Sequence, residues 1–246
     1  MTVLLALDSS TETMALALSS PAGDFFFESE GGPQASARLV PEALALLARA
    51  GLTLADVDAI AFGRGPGAFT GLRAACAVVQ GLAFGADKPV LAIDSLMLVA
   101  EEARQQAAAG ARPLIGLLWV AMDARMGEIY AAAYRFDESG WVTVEAPALY
   151  KPAALGTHWQ HQLDLGEIGG FAGSALSIFA ETLGVSSSEH QGHWPRSLSR
   201  AGALAELAAQ AWRRGETLDA AMAMPVYVRD KVAQTTEERL AARALS

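Results

Sequence analysis

Short apolar runs separated by turn residues open the chain. Val3–Leu7 reads as a buried strand, Met14–Ser19 as a second and Asp24–Glu28 as a third, with Pro21-Ala22-Gly23 turning between the last two. The period then changes. From Ser36 to Ala50, leucines, valine and alanines recur at helical spacing and stop at Gly51. The apolar run Val57–Phe62 predicts a fourth strand, followed by a helix over 70–85, a short strand over Val90–Ile93 and a helix over 95–109. Three strands, then helix, strand, helix, strand is the order of a ribonuclease-H-like layer, not of a doubly wound Rossmann sheet.

The pattern then restarts. Leu4–Asp8 with the strand after it is matched by Trp119–Asp123 with the strand Glu128–Tyr134, and a third strand-like run covers Trp141–Tyr150. Each copy ends its first strand on an aspartate, Asp8 and Asp123. A repeat of this length predicts duplicated lobes. The fold expected is α/β, the actin-like ATPase (ASKHA) architecture of two ribonuclease-H-like lobes with a duplicated βββαβαβ pattern. We expect a first lobe over 1–106, a second over 107–224, and a C-terminal piece over 225–246 that packs back on the first lobe, with the boundary in the polar segment Arg104–Pro113. Beyond 150 the pattern is weaker: a short apolar run at 166–173, a helix over 174–183, a polar loop over 186–195, a strong helix over 201–214 and an extended piece at 225–229.

Composition narrows the picture. With 52% hydrophobic and 18% charged residues the chain is ordered and globular, and a net charge of −9 argues against autonomous binding to a polyanion. Cys76 is the only cysteine, so no internal disulfide forms, and its place in a helical pattern favours a small buried residue over a nucleophile. The N-terminus lacks a signal-peptide pattern and no apolar run approaches the ~20 residues of a membrane span, so a cytoplasmic location without membrane contact is expected.

The most informative segment is Gly63-Arg64-Gly65-Pro66-Gly67-Ala68-Phe69-Thr70-Gly71-Leu72-Arg73. It joins a strand to a helix, its glycines permit positive φ and close approach, and Thr70 is a candidate N-cap. Free amides at such a helix start suit an anion or nucleotide, or a surface that packs on bare backbone. With Asp8, Ser9, Ser10 and Thr11 of the first hairpin, Gly65, Pro66, Gly67 and Thr70 make a candidate, vestigial phosphate or nucleotide site. An ordinary polar turn accounts equally for the hairpin residues. In the second copy Arg125 stands where a phosphate loop wants a small residue. The loop also fits G-x-G-x-x-A, but the three strands before it, Pro66 and the distant Asp94 tell against a dinucleotide site. No P-loop is present, and neither His158/His161 nor His190/His193 has a metal-binding form, so solvated or aromatic-packed histidines and no metal site are expected.

The two helices over 36–50 and 70–85 are apolar round much of their circumference. One face suits the lobe's own sheet and another suits a second subunit. Arg38, Leu39, Ala43 and Leu46 on the first helix, and Thr70, Arg73, Ala74, Ala77, Val78 and Gly81 on the second, are the candidate protein interface.

The chain resembles the TsaB (YeaZ) family. The resemblance rests on Leu7–Thr11, on the loop 63–73, on Met122-Asp123-Ala124-Arg125 with Glu128-Ile129-Tyr130, and on Pro225-Val226-Tyr227-Val228-Arg229. It implies a non-catalytic relative of TsaD, which transfers threonylcarbamoyl to adenosine 37 of tRNAs reading codons that begin with A. It further implies a heterodimer with TsaD, or a homodimer in isolation, through the first-lobe helices, the ATPase TsaE as a third partner, and tRNA only through the complex. No cofactor is required, with room for ATP or ADP at the partner interface. The catalytic relative holds metal with histidines on the first-lobe helix, whereas this chain reads Ala35-Ser36-Ala37-Arg38-Leu39-Val40-Pro41, a stretch with no such ligand. An enzyme of the actin-like set, hydrolysing nucleotide or peptide, is the alternative, motivated by Asp8 and the glycine loop.

Overall fold

The computed structural model describes residues 2–31, 35–110, 114–185 and 192–229. The first lobe runs β1 (Leu4–Asp8), β2 (Thr13–Ser20), β3 (Gly23–Glu30), α1 (Ala35–Arg49), β4 (Ala59–Gly65), α2 (Phe69–Ala86), β5 (Val90–Asp94) and α3 (Ser95–Ala109). The second runs β6 (Leu117–Asp123), β7 (Ile129–Asp137), β8 (Gly140–Tyr150), α4 (Pro152–Asp164), β9 (Ile168–Ala172), α5 (Ala175–Ile178), α6 (Ala180–Leu183), β10 (Gly192–Trp194) and α7 (Arg200–Arg213). A two-residue strand, β11 (Thr217–Leu218), follows. Strand order is β11-β5-β4-β1-β2-β3 in one sheet and β10-β9-β6-β7-β8 in the other. Apart from β11 the two orders are the same, so the chain is a duplicated, actin-like α/β fold.

Every residue of β1 is buried, because both faces of its sheet are covered. Alternation along the strands decides what covers which face. Leu5, Leu7, Leu16, Leu18, Ile60 and Phe62 join Leu39, Ala43, Leu46 and Val79 in one cluster, under α1 and α2. The opposite face is mostly alanine: Ala6, Ala15, Ala17, Ala59 and Ala61 pack with Ala201, Leu204 and Ala208 of α7. Small side chains let that helix approach the sheet closely. The same cluster takes in Leu118, Val120, Ala132 and Tyr134 of the second sheet, with Leu96, Val99 and Ala103 of α3. A third cluster, around Trp119, Trp159 and Phe171, fills the outer side of the second lobe.

This central core runs across the expected division at 106/107. The helix closing the second half of the chain, α7, lies on β1, β2 and β5, while α3 lies against β6 and β7. β11 pairs with β5 as well, so the span 107–224 is not a closed packing unit. Helix α4 is an element the sequence reading left out: Pro152 at its first turn and Leu155 with Trp159, four apart and both fully buried, are its signals. The helix expected over 174–183 is two short ones broken at Phe179. Residues 225–229 form no strand, although Val226 N donates to the Arg64 carbonyl at 2.7 Å. The remainder of the expected C-terminal piece, 230–246, lies outside the described residues, as do His190 and most of the loop begun at 186.

Candidate functional site: the cleft between the lobes

The first hairpin and the glycine loop are brought together, backbone against backbone. Ser9 Oγ donates to the Gly71 carbonyl at 2.8 Å, and Ala68 N donates to the Ser10 carbonyl at 2.7 Å. A Cβ on Gly71 would fall 1.8 Å from the Ser9 carbonyl oxygen, and one on Gly67 2.3 Å from that of Ser10. Gly65, with φ of 109°, turns its amide onto Ser95 Oγ at 2.9 Å, and Pro66 follows through a cis peptide bond. Thr11 closes a local turn with both polar groups of Thr13. Thr70 is not the N-cap. Ala68, pinned by its bond to Ser10, holds that position, and Thr70 sits exposed in the first turn of α2.

Asp8 is fully buried and faces an arginine. Arg200 Nε donates to Asp8 Oδ2 at 2.6 Å, and its Nη2 donates to Ser10 Oγ at 2.8 Å and to the Ser95 carbonyl at 3.4 Å. Glu102 Oε1 lies 3.6 Å from Nη1. Arg200 and Glu102 are each only 2% exposed. Burial alone would lower the Arg200 pKa, but Asp8 and Glu102, with Glu28, outweigh it and raise it. Burial raises the Glu102 pKa against the pull of Arg200. The sequence reading missed Arg200, which begins an alanine-rich helix; a cation at a helix N-terminus opposes the dipole and is the signal that was there to notice.

A metal-bound nucleotide needs a carboxylate turned towards the ion and amides free for phosphate. Here Asp8 faces a guanidinium, and the Gly65 and Ala68 amides have protein acceptors. The residues present do not fit that pair at this hairpin. Among the described residues no group of three or more His, Cys, Asp or Glu is placed to hold a metal.

Above the hairpin a cleft of about 500 Å³ opens between the lobes, lined by Thr11, Phe69, Leu96, Met122, Ser174, Ile178 and Tyr227 among others. Its rim is tied across. Arg125 reaches over to Glu12 and also lies 3.5 Å from Asp123. The segment 223–229 crosses from one lobe to the other. Cys76 Sγ and Gln80 Nε2 donate to the Ala223 carbonyl, Tyr227 stacks on Phe69 and accepts from Arg73 Nε, and Arg229 donates to the Ala124 carbonyl and to Glu128.

The expected interface divides into two groups. Leu39, Ala43 and Leu46 are buried in the lobe's own core and present nothing to a partner, because their spacing faces them onto the leucine side of the sheet. On α2, Thr70, Arg73, Ala77 and Gly81 are exposed and Ala74 and Val78 half-exposed, while Leu72, Ala75, Cys76, Val79 and Ala83 face inward. Phe84 extends this outer stripe at 83% exposure. Arg38 pairs with Glu42 at 3.2 Å on the partly exposed side of α1. Helix α2 has the length and hydropathy of a membrane span, but its inward residues belong to a core. His158 lies on α4, 3.1 Å from Glu145, rather than in a loop; His161 is exposed on the same helix, and His193 is half-buried in β10 with its pKa lowered by burial.

The family model described as TsaD, tRNA N6-adenosine threonylcarbamoyltransferase, matches residues 32–237. The tRNA threonylcarbamoyladenosine biosynthesis protein TsaB of Escherichia coli K12 is 33% identical, over 94% of this chain and 96% of that protein. Two solved Pseudomonas aeruginosa structures share the fold. One, described as similar to peptidase YEAZ, has 35% identity and a TM-score of 0.80 over 93% of this chain and all of that one; the other, YeaZ, has 34% and 0.76 over 92% and all of that one. Agreement over nearly the whole of both chains, in sequence and in the duplicated two-sheet topology, places this chain in the TsaB (YeaZ) family.

Proposed function

We propose that this chain is an accessory, non-catalytic subunit in the cytoplasm that pairs with TsaD in threonylcarbamoylation of N6 of adenosine 37 in tRNAs reading ANN codons. One observation carries the reading. Asp8, the acid that ends β1 at the base of the cleft, is buried against Arg200 and offers no reactive group to a substrate. The name of the Escherichia coli relative supports the tRNA modification. The outer stripe of α2 supports the pairing surface, since exposed small and apolar side chains around Phe84 gain most from being covered. In this reading TsaD's productive state is favoured by burial of that stripe, a shift of populations rather than a donated chemical group. TsaE joins the pair, a homodimer forms when TsaD is absent, tRNA is reached only through the complex, and any ATP or ADP is held at the partner interface.

The test is threonylcarbamoylation of tRNA in vitro with purified TsaD, TsaE and the adenylate-forming enzyme, with and without this chain. Product that depends on adding the chain, and none from the chain alone, is the expected result; full activity without it overturns the reading. Val78→Glu, which puts a charge in the stripe, should abolish assembly and modification together while the isolated chain stays folded.

A further inference from the structure

The segment 223–229, which crosses the mouth of the cleft, is fastened at both ends. On the first lobe it is fastened to α2. The Ala223 carbonyl accepts from Cys76 Sγ at 3.2 Å and from Gln80 Nε2 at 2.8 Å, and the Tyr227 ring lies on Phe69 with centroids 4.7 Å apart. Arg73 closes this end. Its guanidinium carbon sits 3.7 Å from the centre of the Phe69 ring, and its Nε donates to the Tyr227 hydroxyl at 3.0 Å. Arg73 and Tyr227 are both exposed, and Arg73 stands on the outer stripe of α2.

On the second lobe one side chain makes the fastening. Arg229 Nη2 donates to the Ala124 carbonyl at 2.9 Å, to the Arg125 carbonyl at 3.2 Å and to Glu128 Oε2 at 2.8 Å, while Nη1 lies 3.4 Å from Met126 Sδ. The turn it grips is strained. Arg125 and Met126 have φ of 64° and 57°, in the left-handed region that side chains other than glycine, asparagine and aspartate seldom adopt. Such a conformation persists only where its surroundings over-determine it. The turn's own bonds are few: Ala124 N to the Glu128 carbonyl at 2.9 Å and Glu128 N to the Arg125 carbonyl at 3.2 Å. Arg229 supplies the rest. Only two residues separate Arg229 from Tyr227, at most about 7 Å of backbone, so one end has little slack relative to the other.

We infer that the segment 223–229 is a relay that links the outer face of α2 to the left-handed turn between β6 and β7 at the cleft mouth. Arg73 holds Tyr227, Tyr227 sets the place of Arg229, and Arg229 selects the left-handed turn over a relaxed one. A partner that covers α2 seals the Arg73–Tyr227 contact and so steadies a turn on the other lobe. The partner's share of this rests on the pairing proposed for α2; the linkage within the chain does not.

Hydrogen exchange of the full chain, followed by mass spectrometry over the turn between β6 and β7, tests the relay. Arg229→Met keeps the stem, removes the donors and should speed exchange there about tenfold. Arg73→Ala, made on α2, should speed exchange in the same turn about fivefold, the low end of coupling between sites. In the Arg229→Met background Arg73→Ala should add nothing, because the relay is already cut. A turn that Arg73→Ala leaves unchanged, or speeds equally in both backgrounds, overturns the inference. Should Arg229→Met not fold, Arg229→Lys takes its place in the cycle, since it keeps the charge without the planar spread of donors. TsaD added to the wild type should slow exchange in the turn, and should not do so in Arg229→Met. Bound TsaD that leaves the wild-type turn unchanged overturns the inference. A wild type that does not bind TsaD overturns the pairing instead, and the relay then stands or falls on the cycle in the isolated chain.

Discussion

The two first hairpins of this molecule share topology and an aspartate at the end of the leading strand, yet only one is sealed. Asp8 is inaccessible and bound by Arg200, and its turn is pressed onto the glycine loop. Asp123 keeps 15% of its side chain exposed, accepts from the Arg125 amide at 2.9 Å, and has the Arg125 side chain, 69% exposed, at 3.5 Å. The turn after it, Arg125-Met126-Gly127, is left-handed throughout, with φ of 64°, 57° and 69°. The duplicated strand supplies the carboxylate twice, but what that carboxylate does is decided by elements far away in sequence. At Asp8 two helices, α3 and α7, begin beside it and supply the Ser95 carbonyl and Arg200. At Asp123 the neighbour is Ser174 Oγ, which accepts from the Asp123 amide at 3.1 Å.

Truncating the buried cation should give the largest effect. Arg200→Ala leaves Asp8 uncompensated in the interior and should cost about 3–5 kcal/mol of unfolding free energy, measured by urea denaturation. Gly71→Ala comes next. Its Cβ would strike the Ser9 main chain, so it should cost about 1–3 kcal/mol, whereas Gly127→Ala meets open space and carries only its left-handed φ. A cost for Gly127→Ala equal to that of Gly71→Ala would erase the contrast between sealed and open hairpins. Glu102→Gln probes the surroundings of Arg200 by pH. The Glu102 pKa is raised on folding, so the stability it contributes is complete below its ordinary value of 4.5 and is lost as pH rises through the folded value. Denaturation at stepped pH should therefore show Glu102→Gln matching the wild type in acid and exceeding it increasingly above 4.5. The smallest effect is expected at the open hairpin. Arg125→Ala removes exposed pairs with Glu12 and Asp123 and should change stability by about 1 kcal/mol or less.

Local pattern carried most of the strands and the three first-lobe helices. The leucine and alanine alternation of β1 and β2, and the stop at Gly51, are written in adjacent residues; α3 spans 95–109 as its periodicity predicts. Helix α4 escaped because His158-Trp159-Gln160-His161 looks loop-like until Leu155 and Trp159 are seen as one buried face. The candidate site was legible in its parts, since Asp8, Ser9, Ser10, Gly65 and Gly67 do meet. Its chemistry was not, because the partner of Asp8 stands 192 residues away, a contact made by the placing of α7 and not by any spacing in the chain. Leu39, Ala43 and Leu46 of α1 turn inward for a related reason: amphipathicity marks a stripe as apolar without saying whether a sheet or a partner covers it.

The exchange of closing helices, α3 to the second sheet and α7 to the first, gives the protein a particular order of assembly during synthesis. The leading strands of the first sheet emerge from the ribosome with one face bare, an expanse of alanine at positions 6, 15, 17, 59 and 61. The helix that covers it is encoded at 200–213. At a synthesis rate of roughly 5–20 residues per second, that face waits on the order of ten seconds for its cover. A leucine-rich face left open for so long would invite aggregation. Facing the thinner, alanine side of the sheet towards the late-arriving helix leaves only the less adhesive surface bare until α7 docks.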